Sequence, residues 1–200
     1  MATSRLTITG DIGGASLNST LVRSATGQIG QFPIDLAAAN AGTLSTRTSD
    51  TAGTLTLGAE HTVVTADVID IYWADGMCYS AVVGTVAGTS VPFTGVLGDV
   101  LPTEDDPITA VAVKEIDTDF VGTLLVCIGA KCDQKAHLTF MASASVALEL
   151  DLVANEAWMW VNGGTAVNPL TGDAITSVLM TQGSVSTATG RLGGLYDSEV

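Results

Sequence analysis

The groups able to do chemistry are few: two histidines and three cysteines, with 21 acidic residues against seven basic ones in 200 positions. Acid–base and zinc chemistry usually recruit histidine, so His61 and His137 leave little to build with. Cys127, Cys132 and His137, with Asp133 or Cys78 nearby, are the one set with any zinc-like spacing. Their Cys-x4-Cys interval is wide for a knuckle and a second pair is missing, so ordinary strand residues are expected. His61 follows Glu60 in a turn and reads as a solvated loop histidine. Calcium would draw on Glu104, Asp105 and Asp106, or on Asp70 and Asp75 around a turn. Neither set forms an alternating ligand loop with a central glycine, and solvated loop acids are the expectation. A carboxylate pair for glycoside cleavage can be drawn from distant strands, but 21 acids produce such pairs by chance. The chain has no phosphate-binding Gly-x-x-x-x-Gly-Lys loop, Gly-x-Gly-x-x-Gly turn, His-Glu-x-x-His helix or Gly-x-Ser-x-Gly elbow. No catalytic, cofactor-binding or metal-binding residue is therefore assigned.

Trp158 and Trp160 stand two positions apart and share one face of a strand, as an interface patch or a glycan-stacking platform would require. Packing is the plainer expectation for both, and core burial is the expectation for Trp73. The Asn18-Ser-Thr20 sequon has meaning only in a secreted chain.

The elements that must position these side chains read as short strands. Gly, Thr, Ser, Asn and Asp punctuate the chain at close intervals, the pattern of an all-β protein. Strands are expected at 5–9, 20–24, 43–47, 53–57, 68–73, 78–86, 89–93 and 108–114. Further strands are expected at 123–128, 136–141, 146–152, 157–161, 175–181 and 190–196. Leu148, Leu150 and Leu152 alternate with Glu149 and Asp151, which places the acids in solvent. That strand is expected to turn through Val153–Glu156 into Ala157–Val161 as a hairpin. The only helical turn expected is 35–42, with Asp35 as N-cap and Gly42 as the stop. The fold class is thus all-β: antiparallel sandwich or barrel modules with an extended N-terminal arm and almost no helix. Three parts are expected: an arm or hairpin over 1–42, a barrel-like or sandwich module over 43–115, and a second sandwich over 116–200. The last boundary falls at the acidic segment 115–119. No regular repeat suggests a solenoid or propeller.

Composition sets the outer limits. With 46% hydrophobic and 14% charged residues the chain buries a core. No apolar run approaches the ~20 residues of a membrane-spanning helix, so no membrane partner is expected. An odd cysteine count argues against a disulfide framework. Cys127 and Cys132 flank a turn-like Ile-Gly-Ala-Lys and are open to pairing, with free thiols the expectation. Net charge is −14 and unevenly spread: residues 1–49 balance to +1 and residues 50–200 to −15. Such a surface repels phosphates, so no attractive nucleic-acid binding is expected. The opening residues alternate polar and apolar, a strand pattern and not a secretory signal.

The stretch Ala41–Leu57 (AGTLSTRTSDTAGTLTL) continues through Val68–Gly76 (VIDIYWADG), Val83–Phe93 (VGTVAGTSVPF), Gly98–Pro102 (GDVLP) and the closing Gly193–Ser198 (GGLYDS). Together these resemble proteins encoded in the structural regions of tailed phages and prophages, closely over residues 40–115 and loosely elsewhere. The resemblance implies a non-enzymatic, multi-copy virion structural protein, made in the host bacterial cytoplasm and carried in the virion. A tail-tube or tube-associated position is expected, with capsid decoration as the alternative. Its partners would be further copies of itself and other virion proteins. From another class, a carbohydrate- or receptor-binding module would use Trp158 and Trp160 on a glycan.

Overall fold

The computed structural model describes the backbone of residues 3–12, 15–24, 27–114, 116–119, 124–142, 145–161 and 175–197. Side chains are described for 36–114, 128–142, 145–160 and 175–193. Among the described residues every regular element is a β-strand. β1 (Thr3–Ile12) and β2 (Ala15–Ser24) form an antiparallel hairpin paired along its full length. β3 (Gly27–Leu36) leaves the hairpin for a distant sheet.

Seven strands follow: β4 (Asn40–Ser49), β5 (Ala52–Leu57), β6 (Val68–Trp73), β7 (Gly76–Val83), β8 (Ser90–Thr94), β9 (Leu97–Gly98) and β10 (Pro107–Val113). Their order is β6-β10-β4-β5-β8-β7-β9, and β6 also pairs with β7. That last pairing closes six strands into a barrel, with β9 added outside β7. Closure leaves the barrel strands no open edge, and alternation turns Leu44, Leu55, Ile69, Ile71 and Phe93 into its centre.

The rest of the chain supplies β11 (Ile116–Asp119), β12 (Leu124–Cys132), β13 (Ala136–Ala142), β14 (Ser145–Leu152), β15 (Ala157–Val161), β16 (Ser177–Gln182) and β17 (Ala188–Asp197). They make two four-stranded sheets, β11-β16-β13-β14 and β15-β12-β17-β3. One core lies between them, with Ile128, Ala130 and Cys132 from one sheet meeting Leu138, Phe140 and Leu152 from the other. The segment 1–42 is therefore shared out: a separate hairpin, an edge strand of the sandwich, and the first residues of the barrel.

The helical turn expected at 35–42 does not form. Asp35 and Leu36 end β3, and Asn40 already begins β4. Between them, Gln182 Nε2 donates to Ala37 O at 2.7 Å and Ala39 N donates to Ser184 O at 2.9 Å. Tertiary partners thus take the backbone groups that a helix would have paired locally. The expected β14–β15 hairpin is also absent, because the two strands belong to opposite sheets. Asn155, at φ 66°, donates its N–H to Cys132 O at 2.8 Å, and the turn crosses the sandwich.

Nor do Cys127 and Cys132 flank a turn. Both lie on the continuous strand β12, roughly 16 Å apart at strand rise and beyond disulfide reach. Cys132 is a free, buried thiol, while the Cys127 side chain, like Glu115 at the expected boundary, lies outside the described residues.

Leu55 is fully buried at the barrel centre on β5, between β4 and β8. Leu55→Ala is expected to destabilise the protein by about 2–5 kcal/mol, read as a lower urea midpoint at unchanged slope.

Candidate functional site

The sheet containing β13 is buried on both faces. Ala136, Leu138 and Phe140 enter the sandwich core, whereas His137 and Thr139 point the other way and are only 1% and 2% exposed. On β14 the register partners of that second face are Asp151, opposite His137, and Glu149, opposite Thr139. The barrel covers this face. β6 contributes Asp70 and Tyr72, β7 contributes Tyr79 and Ser80, and Lys114 follows β10, its N–H extending the ladder onto Val68 O at 2.8 Å.

These groups form one network across the junction of barrel and sandwich. Lys114 Nζ donates to Glu149 Oε1 at 2.9 Å, Ser80 Oγ at 3.0 Å and Thr139 Oγ1 at 2.5 Å. It stands 3.5 Å from Asp70 Oδ1. The side chains of Lys114, Asp70 and Glu149 are 5%, 0% and 9% exposed. Ser80 donates its N–H to Asp70 Oδ1 at 3.0 Å and its hydroxyl to Glu149 Oε1 at 2.7 Å. Thr181 donates to Asp70 Oδ2 at 2.5 Å and shares a 2.9 Å hydrogen bond with the Tyr72 hydroxyl. His137 Nδ1 lies 2.8 Å from Asp151 Oδ1, and the Tyr79 ring stacks on the imidazole at a centroid distance of 4.3 Å. His137 Nε2 is 3.6 Å from Glu149 Oε1, an electrostatic contact too long for a hydrogen bond. The buried Nε2 has no hydrogen-bond partner among the described residues.

The backbone is shaped for this arrangement. The β6–β7 register shifts between Ile69 and Ile71, where Tyr79 and Ser80 bulge from β7 against the single residue Asp70. Opposite it, Ser80 adopts φ 60°, a left-handed conformation that costs a non-glycine residue about 1–2 kcal/mol. That twist aims the Ser80 N–H at Asp70 and its hydroxyl at Glu149. Gly183 completes the junction, since a Cβ there would stand 2.7 Å from the Tyr72 ring.

Burial sets the protonation of each group against its neighbours. It drives the Asp70 carboxyl upward, and Lys114, His137, Thr181 and Ser80 only partly offset this. Burial acts on Glu149 in the same direction, but His137, Lys114 and Ser80 outweigh it and hold that carboxylate at about 2. Desolvation pulls His137 down, yet the hydrogen bond to Asp151, the nearby Glu149 carboxylate and the field of Asp70 leave it raised. Burial pushes the Cys78 thiol up to about 12 and raises Cys132 as well, so neither is an activated nucleophile.

Several expectations change here. The Glu149 side chain is only 9% exposed, and of the supposed solvent-facing pair Asp151 alone is well exposed, at 57%. Asp70 is a fully buried strand residue and not a loop acid, while Asp75 lies exposed in the β6–β7 turn. Asp70 and Glu149 do converge, but on Lys114, where their side chains are 0% and 9% exposed. His137 is held by Asp151 and Tyr79, away from Cys132 in the sandwich core. No group of three or more metal-ligating side chains gathers among the described residues. Trp158 and Trp160 share a face as expected, and that face packs half-buried against the sandwich core, with Trp158 5.7 Å from the Phe140 ring. Trp73 is half-buried against the barrel core. A small cavity of about 150 Å³ lies beside the network, lined by Leu36, Ala39, Asn40, Val111 and Thr181 among others. Comparison of the chain with protein-family models, with curated proteins and with solved structures gives no match.

Two outcomes follow from this geometry. Lys114→Met, which leaves two buried carboxylates without their cation, is expected to cost about 3–5 kcal/mol in urea unfolding. Adding Asp70→Asn and Glu149→Gln is expected to restore part of that loss. The pH dependence has a definite sign. The raised His137 stabilises the fold fully below its ordinary 6.5, and that contribution fades as pH rises through the folded value. The lowered Glu149 contributes above 4.5 and fades as pH falls toward 2. Raised Asp70 acts against the acid loss, since its protonation favours the folded state. Unfolding midpoints measured across pH should peak between 4.5 and 6.5, and His137→Gln should flatten the alkaline side.

Proposed function

We propose that this chain is a non-enzymatic, multi-copy structural protein of a tailed-phage virion, placed in the tail tube or against it. The observation that carries the reading is the β1–β2 hairpin. Its strands pair with each other at ten positions and, among the described residues, join no other sheet. A two-stranded hairpin is marginal alone in water, and both its outer edges present unpaired backbone donors and acceptors. Addition to a sheet edge of a neighbouring copy satisfies those groups and repeats from copy to copy. The sandwich ends in four such edges, at β3, β11, β14 and β15.

Charge supports the same contact. The hairpin carries Arg5 and Arg23 against Asp11, while residues 50–200 balance to −15. The arm of one copy is therefore attracted to the body of the next. An overall charge of −14 also suits a protein beside which DNA must slide without adhering. The resemblance over residues 40–115 points to the virion. Capsid decoration is the alternative position for the same assembly chemistry. A glycan-binding role has less support, because the two tryptophan rings it needs are packed against the core.

Light scattering of the full chain over a range of concentrations tests the reading, with negative-stain images of the largest species. Defined rings, tubes or closed oligomers are expected. Proline at Thr7 and Thr20, register partners at the middle of the hairpin, should return the chain to monomers. A strict monomer at every concentration overturns the proposal.

A further inference from the structure

The junction network contains a reactive arrangement as well as ion pairs. β10 and β6 are neighbouring antiparallel strands in which Ala112 is the partner of Asp70. Lys114 lies two residues beyond Ala112, so the lysine and the aspartate project diagonally from one face. Nζ stands 3.5 Å from Asp70 Oδ1 and 2.9 Å from Glu149 Oε1, and the amine and both carboxylates are nearly sealed from solvent. An amine, a buried carboxyl and a second carboxylate in contact with the amine are the parts required for condensation. Holding them together in a water-poor site removes the entropic barrier and the competing hydration.

We infer that Lys114 and Asp70 join in an intramolecular isopeptide bond, with Glu149 as the proton carrier. The ammonium first gives one proton to the Asp70 carboxylate, whose burial favours its neutral form. The Nζ lone pair attacks Asp70 Cγ. Negative charge then builds on Oδ1, to which the Ser80 N–H already donates at 3.0 Å. Glu149 accepts the second proton from Nζ and returns it to the departing hydroxyl as the tetrahedral carbon collapses. The carbon–oxygen bond breaks, one water leaves, and Glu149 is again ionised. The step needs no oxidant or activating co-reactant. The departing oxygen is Oδ2, the atom held by the Thr181 hydroxyl, and Thr181 also lines the 150 Å³ cavity that can receive the water. In the product the amide N–H takes the place of the ammonium beside Glu149, and the His137–Asp151 pair is unchanged.

The β7 bulge opposite Asp70 and its left-handed Ser80 gain a purpose in this scheme. Together they put a backbone donor on the reacting oxygen and a hydroxyl on the proton carrier. The bond would tie β6 to β10 covalently within the closed barrel. It would do so regardless of where the chain assembles.

Intact-mass spectrometry of the full chain, purified and denatured under reducing conditions, tests this directly. The expected mass is lower than that of the sequence by one water. Tandem spectra of a digest should contain a branched peptide joining the segments that hold Asp70 and Lys114. Asp70→Asn should lose one ammonia instead, because the leaving group changes, while Lys114→Arg should keep its full mass. Glu149→Gln is expected to remain unreacted, and a cross-link in that variant overturns the role given to Glu149. An unmodified wild-type mass, with Asp70 and Lys114 recovered in linear peptides, overturns the bond itself.

Discussion

An ammonium group taken out of water must meet its counter-charges at fixed distances, and at Lys114 that requirement decides how barrel and sandwich are joined. Carboxylates reach it from both sides, Asp70 from β6 of the barrel and Glu149 from β14 of the sandwich. Desolvating three charges costs several kcal/mol each, and the cost is offset only when the remaining lone pairs and protons are also satisfied. Ser80, Thr139, Thr181 and Tyr72 supply that second layer. The network is therefore indifferent support for overall stability but strong support for a single geometry. Sliding barrel against sandwich by one residue would strand a charge in a dry site.

The strand pattern was largely legible in the sequence, because hydroxyl-rich alternation and Gly or Asp turns are local signals. β3 escaped it for a local reason. It contains Pro33, which a central strand would not tolerate, but β3 is an edge strand and its pairing with β17 is irregular between Gly190 and Leu192, where Gln31 and Ile34 are the neighbouring partners. An edge with a bulge is where a sheet tolerates proline. The 35–42 segment misled in the opposite sense. Asp and alanines give a helix signal, yet the strands on either side hold the chain ends apart and Gln182 and Ser184 take the free backbone groups.

The site was far less legible. Alternation marks which face of β13 and β14 is polar, but it does not distinguish a polar face in water from one covered by another module. Glu149 therefore reads as a surface residue, and nothing in the pattern marks His137 and Thr139 as covered. The available clue was Lys114, one of three lysines in the chain, directly after the apolar run Ala110–Val113. A cation at the end of a buried strand needs anions nearby. Nothing in the sequence names Asp70 and Glu149, 44 residues earlier and 35 later, as those anions.

A body fixed internally and a hairpin that joins neither module are complementary features for the proposed assembly. The barrel has no open edge of its own, and its joint to the sandwich is held by charge that cannot be exposed piecemeal. Strain applied through a neighbour would pass through that joint with little give, because each partner of Lys114 is itself held by a second bond. The hairpin has no such ties among the described residues, so under the proposed function its edges would serve contacts between copies. This division of labour also accounts for the sparing use of charge within the strands. Buried charge is concentrated where one geometry must be selected. The strands otherwise present hydroxyls, which pair as readily with a neighbour's backbone as with water.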